Sequence, residues 1–307
     1  MSGPDRVVSP PRLKVGAEAL AAKGWLGAHR WLLLRRVTQL GILGLFLLGP
    51  WVGVWWVKGN LNSSLSFGVL PLTDPYVALQ SLMTGHLPEK AGLIGIAIVT
   101  LFYLLVGGRA YCGWVCPMNL VTDSAGWLRE RLGIKGSAHV SRETRYWILA
   151  MTVIGSAVTG MVLWELVNPV SMLHRGLIFG FGTAWSIVLV VFLFDLFVMS
   201  RGWCGHLCPV GAAYGLLGRF SLLRIAARRR DACNDCMDCF HVCPEPHVIR
   251  PALKGEDKGI GPVVSAGDCS NCGRCIDVCS KDVFVFGTRF AQSQSPRSPT
   301  GAGADPV

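Results

Sequence analysis

Four apolar runs punctuate the chain, at residues 37–57, 91–107, 146–164 and 177–199, and none contains lysine or arginine. The fourth alone holds an acid, Asp195. A helix rising about 1.5 Å per residue crosses a ~30 Å hydrocarbon layer in roughly 20 residues, so the pattern predicts four transmembrane helices. The second run, with 17 residues, is only just long enough. Between the first two runs, Thr73-Asp74-Pro75 has the form of a helix start and Gly85 that of a stop. The intervening segment is too short to span, which predicts a helix lying in the membrane interface. Residues 289–307 are rich in Ser, Pro, Gly and Ala and read as a disordered tail.

Composition agrees with a membrane chain. Hydrophobic residues make up 51% and charged residues 16% of the 307 positions, against about 25% charged in soluble domains. The net charge of +10 is unevenly spread. Residues 1–36 carry seven Lys and Arg, 108–145 six and 200–232 six, while the other two loops hold Lys58, Lys90 and Arg175. The positive-inside rule then places both termini and the basic loops in the cytoplasm of a bacterial inner membrane. This topology and contact with anionic lipid account for the basic excess, so nucleic-acid binding is excluded. Arg35-Arg36 precedes the first run without a small-residue cleavage site after it, and reads as a positive flank rather than an export signal. Trp51, Trp55, Trp56 and Trp164 fall toward the outer ends of their runs and read mostly as an aromatic belt.

Twelve cysteines change the picture. Cys233, Cys236, Cys239 and Cys243, followed by Pro244, have the spacing of the bacterial ferredoxin run, and Cys269, Cys272, Cys275 and Cys279 repeat it with Ser280 after the last. A cube of iron and sulfide needs four converging thiolates. In the two-cluster arrangement the fourth cysteine of each run crosses over. One [4Fe–4S] cluster is then expected on Cys233, Cys236, Cys239 and Cys279, and the other on Cys269, Cys272, Cys275 and Cys243. A structural zinc site wants one set of four ligands, usually two separated pairs, and fits two complete runs poorly. The remaining cysteines form a second repeat: Cys112-x-x-x-Cys116-Pro117 and Cys204-x-x-x-Cys208-Pro209 lie 92 residues apart, each after an out-and-back pair of apolar runs. They are candidates for metal binding, redox thiol chemistry or partner contact. Either each pair shares a helix face, or Cys116 and Cys208 begin new helices, where a thiolate is stabilised. His206 is a weaker ligand candidate, since Trp114 stands at its place in the first copy.

The fold expected is an α-helical integral membrane protein of two similar hairpins with a C-terminal α+β bacterial 2[4Fe–4S] ferredoxin-like domain. Its parts are a cytoplasmic segment (1–36), the membrane domain (37–224), the cluster domain (225–288) and the tail (289–307). No haem attachment motif, Walker loop, dinucleotide fingerprint or hydrolase triad is present.

These motifs, together with Lys23-Gly24-Trp25, His29-Arg30-Trp31, Gly49-Pro50-Trp51, Pro71-Leu72-Thr73-Asp74-Pro75, Asn168-Pro169-Val170-Ser171 and Cys239-Phe240-His241-Val242-Cys243-Pro244-Glu245-Pro246-His247, resemble the NapH family over residues 17 to about 289. That family is the ferredoxin-type membrane subunit of the quinol dehydrogenase feeding periplasmic nitrate reductase. The resemblance implies an electron-transfer component rather than a complete enzyme. It would draw on the quinone pool, ubiquinol or menaquinol, and pass electrons through the iron–sulfur protein NapG and the tetrahaem cytochrome NapC to the catalytic subunit. Relatives with the same membrane core serve methylamine use, nitrous oxide reduction and oxidase assembly. Glu165, His174 and Asp74, all expected on the outer side, are candidate proton acceptors for a quinol. The competing expectations are a maturation factor delivering electrons for metal or thiol reduction in a periplasmic respiratory enzyme, and a docking scaffold.

Overall fold

Helix α1 (Ala17–Val52) takes in residues 37–52 of the first apolar run but begins well before it, and bends at Gly24, whose φ of 70° is outside the helical range. The computed structural model describes residues 15–291 apart from Ser137, His139, Phe181 and Thr183. The rest of the N-terminal segment and the tail from residue 292 lie outside the described residues.

The third and fourth apolar runs give shorter helices than their lengths promise, while the second does not. Helix α3 (Lys90–Val106) fills the second run. The third is cut when Gly160 turns left-handed and closes α5 (Thr144–Thr159), a conformation glycine adopts without steric cost. The fourth divides at Gly180 (φ 93°), between α7 (Pro169–Phe179) and α8 (Ala184–Leu193), and ends in a π-helical turn, Phe194–Val198. Among the described residues α1 is the one helix with both the length and the apolarity to cross a membrane.

The loop between the first two runs folds further than its sequence suggested. Strands β1 (Val57–Gly59), β2 (Ser63–Ser66) and β3 (Leu70–Thr73) form an antiparallel sheet in that order, pairing Val57 with Ser66 and Ser63 with Thr73. Their serine-rich sequence hides the alternation that normally betrays a strand. Helix α2 (Pro75–Met83) follows where expected. Its Asp74 cap accepts hydrogen bonds from the amides of Tyr76 (2.8 Å) and Val77 (3.0 Å). One face of the helix is buried through Tyr76, Ala78 and Gln80, while Leu79, Leu82 and Met83 are exposed. Three more helices are α4 (Met118–Arg131), α6 (Leu163–Val167) and α9 (Pro209–Gly218).

By their internal contacts, Leu32–Arg224 and Ser265–Cys272 form one unit, and Ile225–Val264 joins residues 15–31 and 273–291 in the other. The smaller unit holds α10 (Asp238–Val242), α11 (Ile249–Lys254) and α12 (Arg274–Val278), with α10 packed on α12. Strand β4 (Leu223–Ala227) pairs with β5 (Phe284–Thr288).

Candidate functional site

The cysteine runs adopt one backbone design twice. Asp235 (φ 56°) and Met237 (φ 64°) follow Cys233 by two and four residues, and Asn271 (φ 46°) and Gly273 (φ 73°) stand at the same offsets from Cys269. Non-glycine residues hold left-handed backbone only where surroundings enforce it, and such turns direct successive amides toward an anionic guest. In the smaller unit, Cys233, Cys236, Cys239 and Cys279 line one pocket with about 360 Å³ of empty volume. The fourth cysteine of the second run thus stands with the first three of the first run, as the crossover spacing requires. Burial pushes the Cys239 thiol up to about 12, with the neighbouring cysteines adding to the rise. These four residues fit a [4Fe–4S] cluster. Of the other expected set, Cys269 and Cys272 belong to the larger unit and Cys275 and Cys243 to the smaller. That set rests on the spacing of the runs.

The two Cys-x-x-x-Cys-Pro copies also share a local design. Each first cysteine sits in a π-helical turn, Tyr111–Val115 or Trp203–Leu207, and each second cysteine closes that turn, the Cys116 amide bonding to Tyr111 O and the Cys208 amide to Trp203 O, both at 2.9 Å. The prolines then start α4 and α9. Hence the helix-start geometry, rather than a shared helix face, is what the motif encodes. Cys112, Cys116, Cys204 and Cys208 line a single pocket with about 420 Å³ of empty volume, together with Trp164, Trp203, Pro169, Val170 and Met118 among others. His206 is not in that lining. Trp164, expected in an aromatic belt, is instead 3% exposed, whereas Trp51, Trp55 and Trp56 are exposed.

Buried cations frame this pocket. Arg109 is 3% and Arg145 1% exposed. Arg109 donates to Cys204 O (3.0 Å) and Asp268 O (3.1 Å), and Arg145 donates to Gly205 O (3.2 Å) and pairs with Asp268 at 2.7 Å. The Ser265–Cys272 segment is thereby held on the first copy, where Trp114 Nε1 also donates to Asn271 O at 3.0 Å. Gly113 is needed there, since a Cβ would come within 3.2 Å of Ser270 O and 3.4 Å of Cys272 Cβ.

A larger cavity, of about 450 Å³, lies between α1, α3 and the small sheet. Its lining is apolar (Ile42, Phe46, Leu72, Ile98, Phe102) apart from a polar corner formed by Asp74, Thr73, Tyr103, Tyr111 and Tyr214. Asp74 is 6% exposed and accepts a hydrogen bond from Tyr214 Oη at 2.8 Å. Burial pushes its carboxyl above the ordinary carboxylate range, against the opposing pull of its three hydrogen bonds. Tyr111 and Tyr214 stack with ring centres 5.0 Å apart, and Tyr111 directly precedes Cys112. The other acceptor candidates stand outside the cavity lining. Glu165 accepts hydrogen bonds from Asn62, Asn168 (3.0 Å) and Ser171 (3.2 Å), a network that fixes the start of α7. His174 packs edge-on against Phe46, ring centres 5.7 Å apart. Its Nε2 has no hydrogen-bond partner among the described residues, and burial holds it below the usual histidine range. Asp195 accepts from the Trp203 amide at 2.9 Å, tying the fourth run to the second cysteine turn.

Comparison with known proteins agrees with the cysteine pattern. The 4Fe-4S binding domain family matches residues 90–135 and 181–229, and the 4Fe-4S dicluster domain family matches 232–283. Ferredoxin-type protein NapH of Escherichia coli is 52% identical over 90% of this chain and 96% of its own. NapH of Haemophilus influenzae is 51% identical over 91% and 96%. Methylamine utilization ferredoxin-type protein MauN of Methylorubrum extorquens is 56% identical over 91% and 96%. No solved structure matches the chain. Identity this high over nearly the whole length, with both cluster-domain models satisfied, makes the chain a member of the ferredoxin-type NapH and MauN family.

Proposed function

We propose that this chain is the membrane electron-transfer subunit of a quinol dehydrogenase, oxidising ubiquinol or menaquinol in the cavity bounded by Asp74 and the three tyrosines. The observation that carries this reading is a buried carboxylate at the polar corner of an otherwise apolar cavity. A quinol ring suits the apolar walls, and its hydroxyl needs a proton acceptor as electrons leave. Asp74 is that acceptor, Tyr214 fixes the carboxylate's orientation, and Tyr111 carries the cavity wall to the cysteine-bearing turn.

The four-span topology with cytoplasmic termini is part of the proposal. Its support is the belt of exposed apolar side chains on the shorter helices, including Ile94 and Leu101 on α3, Met151 and Val158 on α5 and Val190 on α8, surfaces that soluble proteins keep small. Helix α2 then re-enters the bilayer, where its irregular flanks are tolerated because they line a cavity. Cys233, Cys236, Cys239 and Cys279 hold one [4Fe–4S] cluster and Cys269, Cys272, Cys275 and Cys243 the other. When bound, each supplies a one-electron carrier tuned by the amides around it.

Downstream partners of the NapG and NapC kind, leading to periplasmic nitrate reductase, follow from the likeness to NapH. The likeness to MauN gives a periplasmic methylamine system equal standing as the electron acceptor. The test is reduction of the iron–sulfur absorbance in anaerobic membranes by added menaquinol or ubiquinol. Failure of both quinols, where a control dehydrogenase is reduced, would leave a maturation role as the better reading.

A further inference from the structure

We infer that the indole of Trp164 is a hydrogen-bond donor to the cluster of the two cysteine turns and raises its reduction potential. The 4Fe-4S binding domain family matches residues 90–135 and 181–229, and Cys112, Cys116, Cys204 and Cys208 are the cysteines inside that match. They line one pocket, with the buried Arg109 and Arg145 around it. Four thiolates with cations beside them fit an anionic iron–sulfur guest. Trp164 lies outside the matched residues and reaches the pocket from a different part of the chain.

The first observation is burial without a partner. Trp164 is 3% exposed and lines the pocket, yet its buried Nε1 has no hydrogen-bond partner among the described residues. Buried N–H groups are rarely left so, and each costs about 1–3 kcal/mol.

The second is what the pocket offers that donor. No lining side chain carries an oxygen: besides the thiols they are Met118, Pro169, Val170, Val210 and Trp203, whose own indole only donates. A water settles only where it finds about two to four polar partners, and these walls do not supply them. The sulfide and thiolate sulfurs of a cluster are acceptors of the right kind.

The third is that the ring is locked before any guest arrives. Trp164 N donates to Gln80 Oε1 at 3.1 Å, and the same oxygen accepts from Ser156 Oγ at 3.0 Å. Gln80 is fully buried on α2, the helix that Asp74 caps. Tyr76, also on α2, packs against the indole with ring centres 6.2 Å apart. The neighbouring Glu165 is tied to Asn62 and Asn168, and Asn62 O accepts from the Asp74 amide at 2.7 Å. The segment that bears the proposed quinol base therefore also places the donor. Hydrogen bonds to cluster sulfurs favour the more negative, reduced state, so this donor raises the potential.

This inference deepens the electron-transfer reading and rests on it for the purpose of the tuning, since a raised potential makes a better acceptor for quinol electrons. The experiment is a mediator-poised redox titration of the full chain in anaerobic membranes, followed by electron paramagnetic resonance, on wild type and Trp164→Phe. Phenylalanine keeps a buried ring and deletes the N–H. The signal concerned is the one that Cys112→Ser removes. At a fixed poise its ratio of reduced to oxidised form should fall by about three- to tenfold, with iron content and the ferredoxin-type signals unchanged. An unchanged midpoint, a loss of iron with no shift in what remains, or a wild type with no signal belonging to these cysteines overturns the proposal. A second measurement decides the matter where Trp164→Phe fails to assemble. With tryptophan labelled by a heavy nitrogen isotope, that signal should carry a nitrogen hyperfine coupling that persists in Trp203→Phe. Trp114 is no rival, because its indole donates to Asn271 O at 3.0 Å. Absence of the coupling, or its loss in Trp203→Phe, overturns the proposal. The titration needs no quinol, so a shifted midpoint without quinol reduction would sink the quinol reading and leave this donor standing.

Discussion

Tyr214 donates a hydrogen bond to Asp74 at 2.8 Å across 140 residues of sequence. The bond ties the cap of α2 to the middle of α9, six residues beyond Cys208, so the Asp74 carboxylate and a cysteine turn are fixed to one another. Asp74 caps α2 and is the proposed proton acceptor, and Asp74→Asn separates the two roles. Asparagine caps a helix as well as aspartate does but cannot take a proton. The variant should fold normally and lose quinol-dependent cluster reduction by about 100-fold or more, the usual worth of a positioned base. Dithionite reduction should be unchanged. Stopped-flow absorbance in membranes checks it.

The pH dependence follows from the direction of the Asp74 shift. Burial raises its carboxyl, and a proton acceptor works only when ionised. Quinol oxidation should therefore fall as pH drops through a value above the ordinary ~3.9 of aspartate. Tyr214→Phe removes a hydrogen bond that favours the ionised form, so the falling limb should move to higher pH. Rate profiles of the two proteins between mildly acidic and neutral pH decide it; coincident limbs would assign the titration to another group.

Much of this was legible in the sequence, and the failures have physical causes. The spacing of the two cysteine runs led to the pocket that Cys279 lines with Cys233, Cys236 and Cys239, and the α2 start at Asp74-Pro75 was readable because capping is a local rule of spacing. The small sheet was not, since Ser63-Ser64-Leu65-Ser66 lacks the alternation of a half-buried strand. The apolar runs overstated helix length because hydropathy does not register the left-handed turns at Gly160 and Gly180. Tyr214 gave no signal at all: it stands in the apolar stretch of α9, and its partner is fixed only by tertiary packing. Trp164 looked interfacial by its position at the end of a run and is instead buried beside four cysteines.

The close approach of α3 and α9 gives a stability prediction. A Cβ at Gly108 would lie 1.9 Å from Tyr214 O and 2.4 Å from the Gly218 amide nitrogen, both rigid backbone atoms of α9. Gly108→Ala must push α9 away, breaking the Tyr214 contact and opening the wall of the larger cavity. Overpacking of this kind costs about 1–3 kcal/mol or more. The thermal midpoint of the detergent-solubilised variant should fall by several degrees, whereas Gly126→Ala, which meets nothing within 4 Å, should leave it unchanged.

Cys279→Ser tests the crossover itself. Cys279 follows the second run in sequence, yet it lines the pocket of Cys233, Cys236 and Cys239. If each run held its own cluster, losing Cys279 would strip the Cys269 set. With the crossover, the loss falls on the Cys233 set, and Cys243→Ser produces the reciprocal defect. Each single variant should lose up to about four irons per chain, and the two should differ in which signal survives by electron paramagnetic resonance. The surviving signal is told apart by a second substitution near one run only: Asp235→Asn, two residues after Cys233, should perturb the remaining signal in the Cys243 variant and leave that of the Cys279 variant as it was. The opposite assignment would show that the runs do not exchange ligands.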